Sequence, residues 1–92
     1  MPRGRSPVTA LTIYSKPGCH LCDEMKAVVR RVAHGSAQGI TIEEIDISTD
    51  AALQERYGLE IPVLLIDGKK VAKYRIDEPA LRRMLAGKMA DG

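Results

Sequence analysis

The stretch Ser15-Lys16-Pro17-Gly18-Cys19-His20-Leu21-Cys22 separates two different periodicities. Before it, Val8, Ala10, Thr12 and Tyr14 alternate with Thr9, Leu11, Ile13 and Ser15, and the β-branched content predicts a strand. Pro17-Gly18 breaks that alternation. Beyond it, Leu21, Met25, Val28, Val29 and Val32 recur at helical spacing, while Asp23, Lys26, Arg30 and Arg31 fall on the opposite face. Cys19 and Cys22 therefore stand where a strand hands over to a helix. Residues three apart share a helical face, so the two sulfurs can close a small disulfide. Cys19, at the helix start, has unpaired N–H groups and the positive end of the helix dipole near its sulfur, and both favour thiolate over thiol. Lys16 adds a positive charge upstream, and His20 adds one when protonated. Cys22 falls on the apolar stripe and is expected to be sheltered. One exposed, nucleophilic sulfur beside one protected sulfur is the arrangement that attack on a disulfide and internal resolution require.

Outward from this stretch the elements follow one another with short breaks. Gly35 and Gly39 bracket a loop, and Ile40–Ile47 predicts a second strand whose phase shifts at Glu43-Glu44, through a bulge or a buried end. Ser48, Thr49 and Asp50 are competent caps for a short helix from Ala51 to Tyr57, closed by Gly58. Ile61-Pro62-Val63-Leu64-Leu65-Ile66 is a nearly continuous apolar run, as expected of a strand covered on both faces. Asp67-Gly68 signals a tight hairpin into a charged return strand, Lys69 to Ile76. Asp77-Glu78-Pro79 opens a last helix, with Leu81, Met84 and Leu85 as its stripe and Gly87 as its stop. The order is β-α-β-α-β-β-α. A parallel β-α-β crossover followed by an antiparallel hairpin predicts an α/β fold with a mixed four-stranded sheet and helices on both faces.

A chain of 92 residues supports one core, placed at residues 8–87, with residues 1–7 and 88–92 expected to be flexible termini. The aromatic content is three Tyr with no Phe or Trp, so the core must be aliphatic. A net charge of +2 is too balanced to indicate nucleic-acid binding. The excess of Lys and Arg between Lys69 and Lys88 reads as a solvated face. No apolar run approaches the ~20 residues of a membrane span. The basic start followed by Val8–Tyr14 imitates a secretory leader but runs into Ser15-Lys16-Pro17-Gly18 rather than a small-residue cleavage site, so the expected compartment is cytoplasmic. Two cysteines exclude a multi-disulfide framework.

Taken together, the strand, the Lys16-Pro17-Gly18-Cys19-His20-Leu21-Cys22 turn, the helix, Ile61-Pro62-Val63 and the Asp67-Gly68 hairpin resemble the thioredoxin fold, and within it the small glutaredoxin-like proteins. The resemblance covers roughly residues 8–86. It implies a thiol–disulfide oxidoreductase with a redox-active Cys19–Cys22 pair. It also implies a cis peptide bond between Ile61 and Pro62 beside that pair, with the Ile61 main chain, Lys16 and His20 meeting the substrate. Disulfide-containing proteins are the implied substrates, glutathione or a thioredoxin-type reductase the implied electron source, and no metal or organic cofactor is required. The chain is expected to act as a monomer without nucleic-acid or membrane partners. Two departures stand out: His20-Leu21 lies between the cysteines where Pro and an aromatic are usual, and Tyr74-Arg75 precedes Asp77 where Gly-Gly is usual. The helix start at Asp77–Ala80 still offers N–H groups to a carboxylate such as that of glutathione.

Other readings of the same residues differ in class. Cys19, Cys22, His20 and His34 are a zinc-competent set by residue type, although His20 lies awkwardly between the two thiols. A thioredoxin-like fold also serves as a binding module without turnover, holding iron–sulfur or another metal through Cys19, or only a protein partner. A redox sensor, whose disulfide alters an interaction, uses the same pair.

Overall fold

The alternating residues at the start of the described chain become an inner strand of a four-stranded sheet. In the computed structural model, which describes residues 8–36 and 39–90, the elements are β1 (Val8–Ser15), α1 (His20–His34), β2 (Gly39–Asp46), a 3-10 turn (Ile47–Thr49), α2 (Ala51–Tyr57), β3 (Val63–Ile66), β4 (Lys69–Lys73) and α3 (Glu78–Ala90). The sheet order is β2-β1-β3-β4. β1 pairs parallel with β2 from Val8↔Gly39 to Ser15↔Asp46, and antiparallel with β3 from Leu11↔Ile66 to Tyr14↔Val63. β3 and β4 form the expected antiparallel hairpin. Residues 1–7, 91 and 92, read above as parts of the two termini, lie outside the described residues.

Period two along β1 and β3 divides the sheet into two faces. Leu11, Ile13, Leu64 and Ile66 face α1 and α3, where they pack with Met25, Val29, Val32, Leu81 and Leu85 in one aliphatic cluster. Burying each such side chain contributes roughly 1.5–3 kcal/mol, so this cluster dominates the favourable side of folding. The other face carries Tyr14, whose ring lies 4.9 Å from that of Tyr57 on α2. Helices thus cover both faces.

Turn chemistry explains the tight connection after β3. Asp67 and Gly68 have φ of 50° and 85°, the left-handed pair that a type I′ hairpin requires. The Asp67 N–H donates to the Ala10 carbonyl at 2.8 Å, and the Ala10 N–H donates to Asp67 Oδ1 at 2.9 Å, which stitches the turn onto β1. At the start of α2 the Asp50 carboxylate accepts the Leu53 N–H at 3.1 Å. Gly58 caps the end of α2, and glycine is needed there because a Cβ would collide with the Gln54 carbonyl, although its φ is right-handed.

Three sequence expectations need correction. The phase shift at Glu43-Glu44 is not a bulge, since β2 keeps continuous register with β1; β2 is an edge strand with Glu43 and Glu44 exposed, and the chain is buried again only at Ile47. The return strand ends at Lys73 rather than Ile76, because Tyr74 takes φ of 69° and turns the chain away. The last helix does not stop at Gly87 but runs to Ala90. Gly87 is exposed and lacks the left-handed conformation that ends a helix; inside a helix a glycine costs only about 1 kcal/mol. Among the described residues no helix is long and apolar enough to cross a membrane.

Candidate active site

β1 delivers the chain to the site at Ser15, and the turn that follows needs Gly18, whose φ is 80°. The Cys19 N–H donates to the Lys16 carbonyl at 3.3 Å, which places Cys19 in extended conformation as the cap of α1. Its sulfur accepts the Cys22 N–H at 3.1 Å. The helix terminus thus offers a main-chain donor to the Cys19 sulfur, the arrangement that stabilises a thiolate. Cys19 and Cys22 are joined in a disulfide with Cα atoms 5.2 Å apart. Cys22 is 1% exposed and packed on the buried side of α1, whereas Cys19 is half-buried. The expected asymmetry between the two sulfurs is therefore present.

The other residues singled out from sequence divide into those the fold brings to this end of the sheet and those it turns away. Val63 pairs with Tyr14, so Ile61 and Pro62 lie at the end of the sheet from which the Lys16–Cys19 turn departs. The Ile61–Pro62 peptide bond is cis. Pro62 is fully buried, and its carbonyl accepts the Tyr74 N–H at 2.8 Å. Among the described residues, the Ile61 N–H and C=O take no main-chain partner. His20 points away into solvent and pairs with Glu24, Nε2 to Oε2 at 3.1 Å. Lys16 contributes its carbonyl to the turn and borders a small cavity of about 140 Å³ behind the motif.

That small cavity holds a polar network that the sequence did not disclose. The Ser15 hydroxyl, almost fully buried, donates to Glu44 Oε2 at 2.8 Å. Lys26 Nζ lies 2.8 Å from the same oxygen and 3.3 Å from Asp23 Oδ1. The hydrogen bond from Lys26, then that from Ser15, hold the Glu44 carboxyl below its ordinary value, and the bond to Glu44 raises the Lys26 ammonium above its own. The signals available were the misplaced Glu43-Glu44 pair in a strand and the position of Lys26, one helical turn beyond Cys22.

On the other side of α1 a groove of about 610 Å³ runs between α1, the exit of β4 and α3. Leu21, Met25, Val28, Ile76 and Met84 give it an apolar lining, and Glu24, Lys73, Tyr74, Arg75 and Asp77 stand along it. Leu21, which lies between the two cysteines in the chain, lines this groove, but neither cysteine does. At the start of α3 one of the donors is already engaged: Asp77 Oδ1 accepts the Ala80 N–H at 2.7 Å. The residue at the helix end thus supplies the anion itself. Among the described residues no three His, Cys, Asp or Glu side chains gather as metal ligands. His20 and His34 lie at opposite ends of α1, which at 1.5 Å per residue puts them ~20 Å apart.

A sheet of order β2-β1-β3-β4 with a capped Cys-x-x-Cys at the start of α1 defines a thioredoxin-fold dithiol protein. The sequence matches the glutaredoxin-like domain family (DUF836) over residues 10–86, and the chain belongs to that family. A glutaredoxin-like protein of Dictyostelium discoideum is 33% identical over 75 residues, which cover 77% of this chain and 69% of that protein. Among solved structures, a structural-genomics target protein from X. campestris is similar with a TM-score of 0.68 and 33% identity, covering 84% of this chain and 96% of that one. A mutant thioredoxin from Halobacterium salinarum is similar with a TM-score of 0.57 and 27% identity, covering 83% and 70%.

Proposed function

We propose that the protein is a thiol–disulfide oxidoreductase that reduces protein or mixed disulfides through Cys19 and Cys22. The observation that carries this reading is the asymmetry of the pair: a half-buried Cys19 sulfur accepting an N–H at a helix start, against a Cys22 that is 1% exposed. In the reduced protein the Cys19 thiolate attacks one sulfur of the substrate disulfide. The substrate S–S bond breaks, one substrate sulfur leaves as thiolate and takes a proton from solvent, and a mixed disulfide forms. Cys22 then loses its proton and attacks the Cys19 sulfur, and the second substrate thiolate departs. Two electrons have passed to the substrate, and the protein is left with the Cys19–Cys22 disulfide. Two thiols of glutathione, or a thioredoxin-type reductase, return the electrons, which places the cycle in a reducing compartment such as the cytoplasm. The unpaired Ile61 main chain next to Pro62 supports pairing with an extended substrate segment. The chain acts as a monomer and needs no metal or organic cofactor for this exchange.

The test is an insulin reduction assay run in parallel with glutathione plus glutathione reductase and with thioredoxin reductase. Turnover with one of the two systems is the expected result. No turnover with either, from a protein that purifies with bound iron, would instead assign the chain to the binding modules.

A further inference from the structure

Tyr74 is the one described residue other than glycine and the hairpin Asp67 that adopts a left-handed backbone, with φ of 69°. A bulky aromatic residue is disfavoured there, and such conformations persist only where the surroundings hold them. Two contacts do so. The Tyr74 N–H donates to the Pro62 carbonyl at 2.8 Å, and the phenol hydroxyl donates to the Leu59 carbonyl at 3.0 Å. Across the turn the Arg75 N–H donates to the Lys73 carbonyl at 2.8 Å, which fixes Tyr74 at the centre of a three-residue turn. One side chain and its own amide therefore grip both ends of the Leu59–Pro62 segment. Lys70, on β4 just before Tyr74, holds the middle of that segment through Glu60, Nζ to Oε1 at 3.1 Å. Between these ties, the Ile61 N–H and C=O take no main-chain partner among the described residues.

The geometry points to Tyr74 as a positioning residue that sets the Ile61 main chain for pairing with an extended polypeptide, and so gives the site a preference for protein disulfides over small ones. The inference rests on the oxidoreductase reading above. A disulfide with no peptide chain gains nothing from Ile61, whereas a protein disulfide needs the Ile61 N–H and C=O held in one orientation as Cys19 attacks. Tyr74→Phe removes the grip on Leu59 while retaining the ring and the backbone. Tyr74→Gly relieves the backbone conformation and removes the side chain.

The experiment uses full-length, pre-reduced protein in a single turnover, so no external reductant enters. Oxidation of Cys19 and Cys22 is followed by acid quench and maleimide mass labelling, with insulin and with bis(2-hydroxyethyl) disulfide as oxidants. The expected result is that the ratio of the insulin rate constant to the small-disulfide rate constant falls about tenfold in Tyr74→Phe, with insulin saturation moving to higher concentration, and at least as far in Tyr74→Gly. A purely structural role would lower both rate constants together, leave their ratio intact and follow the melting temperature, and it would overturn the inference. An unchanged ratio with an active wild type overturns the role of Tyr74 alone. A wild type that oxidises with neither disulfide overturns the oxidoreductase reading and the role of Tyr74 with it.

Discussion

The Cys19 sulfur accepts an N–H from the first turn of α1 while the Cys22 sulfur is shut inside the protein, and the proposed division of roles between the two rests on that difference in place. Cys19→Ser is therefore expected to abolish disulfide reduction. Cys22→Ser should stop after the first step and accumulate a mixed disulfide with the substrate, visible as an adduct in the intact mass. If Cys22 is the sulfur more rapidly alkylated at neutral pH, the two roles must be exchanged. The placement of the two sulfurs was legible because it depends on local features: a helix start, a spacing of three and a stripe of apolar residues. The basic residue at the site was less legible. Lys16 is adjacent in sequence, yet the cation with carboxylate partners behind the motif is Lys26, bound to Glu44 and Asp23. That link depends on β2 lying parallel to β1, which puts Glu44 close enough for the hydroxyl of Ser15. Nothing in the local sequence states that distance.

Elements were readable where the two periodicities were strong and where turn residues had a single use. β1, α1 and the Asp67-Gly68 hairpin are of that kind. Legibility failed at element ends, where tertiary contacts decide. β4 stops at Lys73 because Tyr74 is held by Pro62 and Leu59, and both partners are distant in sequence. α3 passes through Gly87 because one right-handed glycine on an exposed face weakens a helix without ending it. α2 shows how little a short element can rest on. None of its residues is buried, and its first turn depends on the Asp50 carboxylate. Asp50→Ala should cost about 0.5–2 kcal/mol of local stability. Because α2 contributes nothing to the aliphatic cluster, the loss should appear as faster hydrogen exchange over residues 53–57 with a smaller change in the global transition. Equal loss of protection throughout the sheet would show that α2 folds as one unit with the core.

At the scale of the whole molecule, one aliphatic cluster joins α1, α3 and the sheet, and ion pairs join the same elements at the surface. Leu81 is fully buried in that cluster, and Leu81→Ala should lower stability by ~2.7–5 kcal/mol, read from the denaturant midpoint. The ion pairs act differently because they depend on pH. Glu78 of α3 meets Arg31 of α1 at 3.1 Å, and Arg82 one turn further along α3. Hydrogen bonds from Arg82 and then Arg31 hold the Glu78 carboxyl below its ordinary value of 4.5. Glu44 is lowered by Lys26 and Ser15, Glu60 by Lys70, and Asp46 by the Ser48 hydroxyl and amide. A carboxyl that is more acidic in the folded than in the unfolded chain contributes stability that is complete above the unfolded value. That contribution is lost as pH falls through the folded one. The Lys26 shift has the opposite sign: its contribution is complete below 10.5 and is lost only as pH rises beyond that value, so it does not shape the acid limb. Stability should therefore be flat from neutrality to about pH 5 and fall progressively below the ordinary carboxylate values. These pairs are largely exposed, so added salt should shrink the fall by screening them. Urea midpoints measured from neutral to acid pH for the wild type, Glu44→Gln and Glu78→Gln test the attribution. Each variant should be less stable at neutral pH and should show a shallower acid limb, since the group that titrates has been removed. Parallel acid limbs in all three proteins would assign the acid sensitivity to other carboxyl groups.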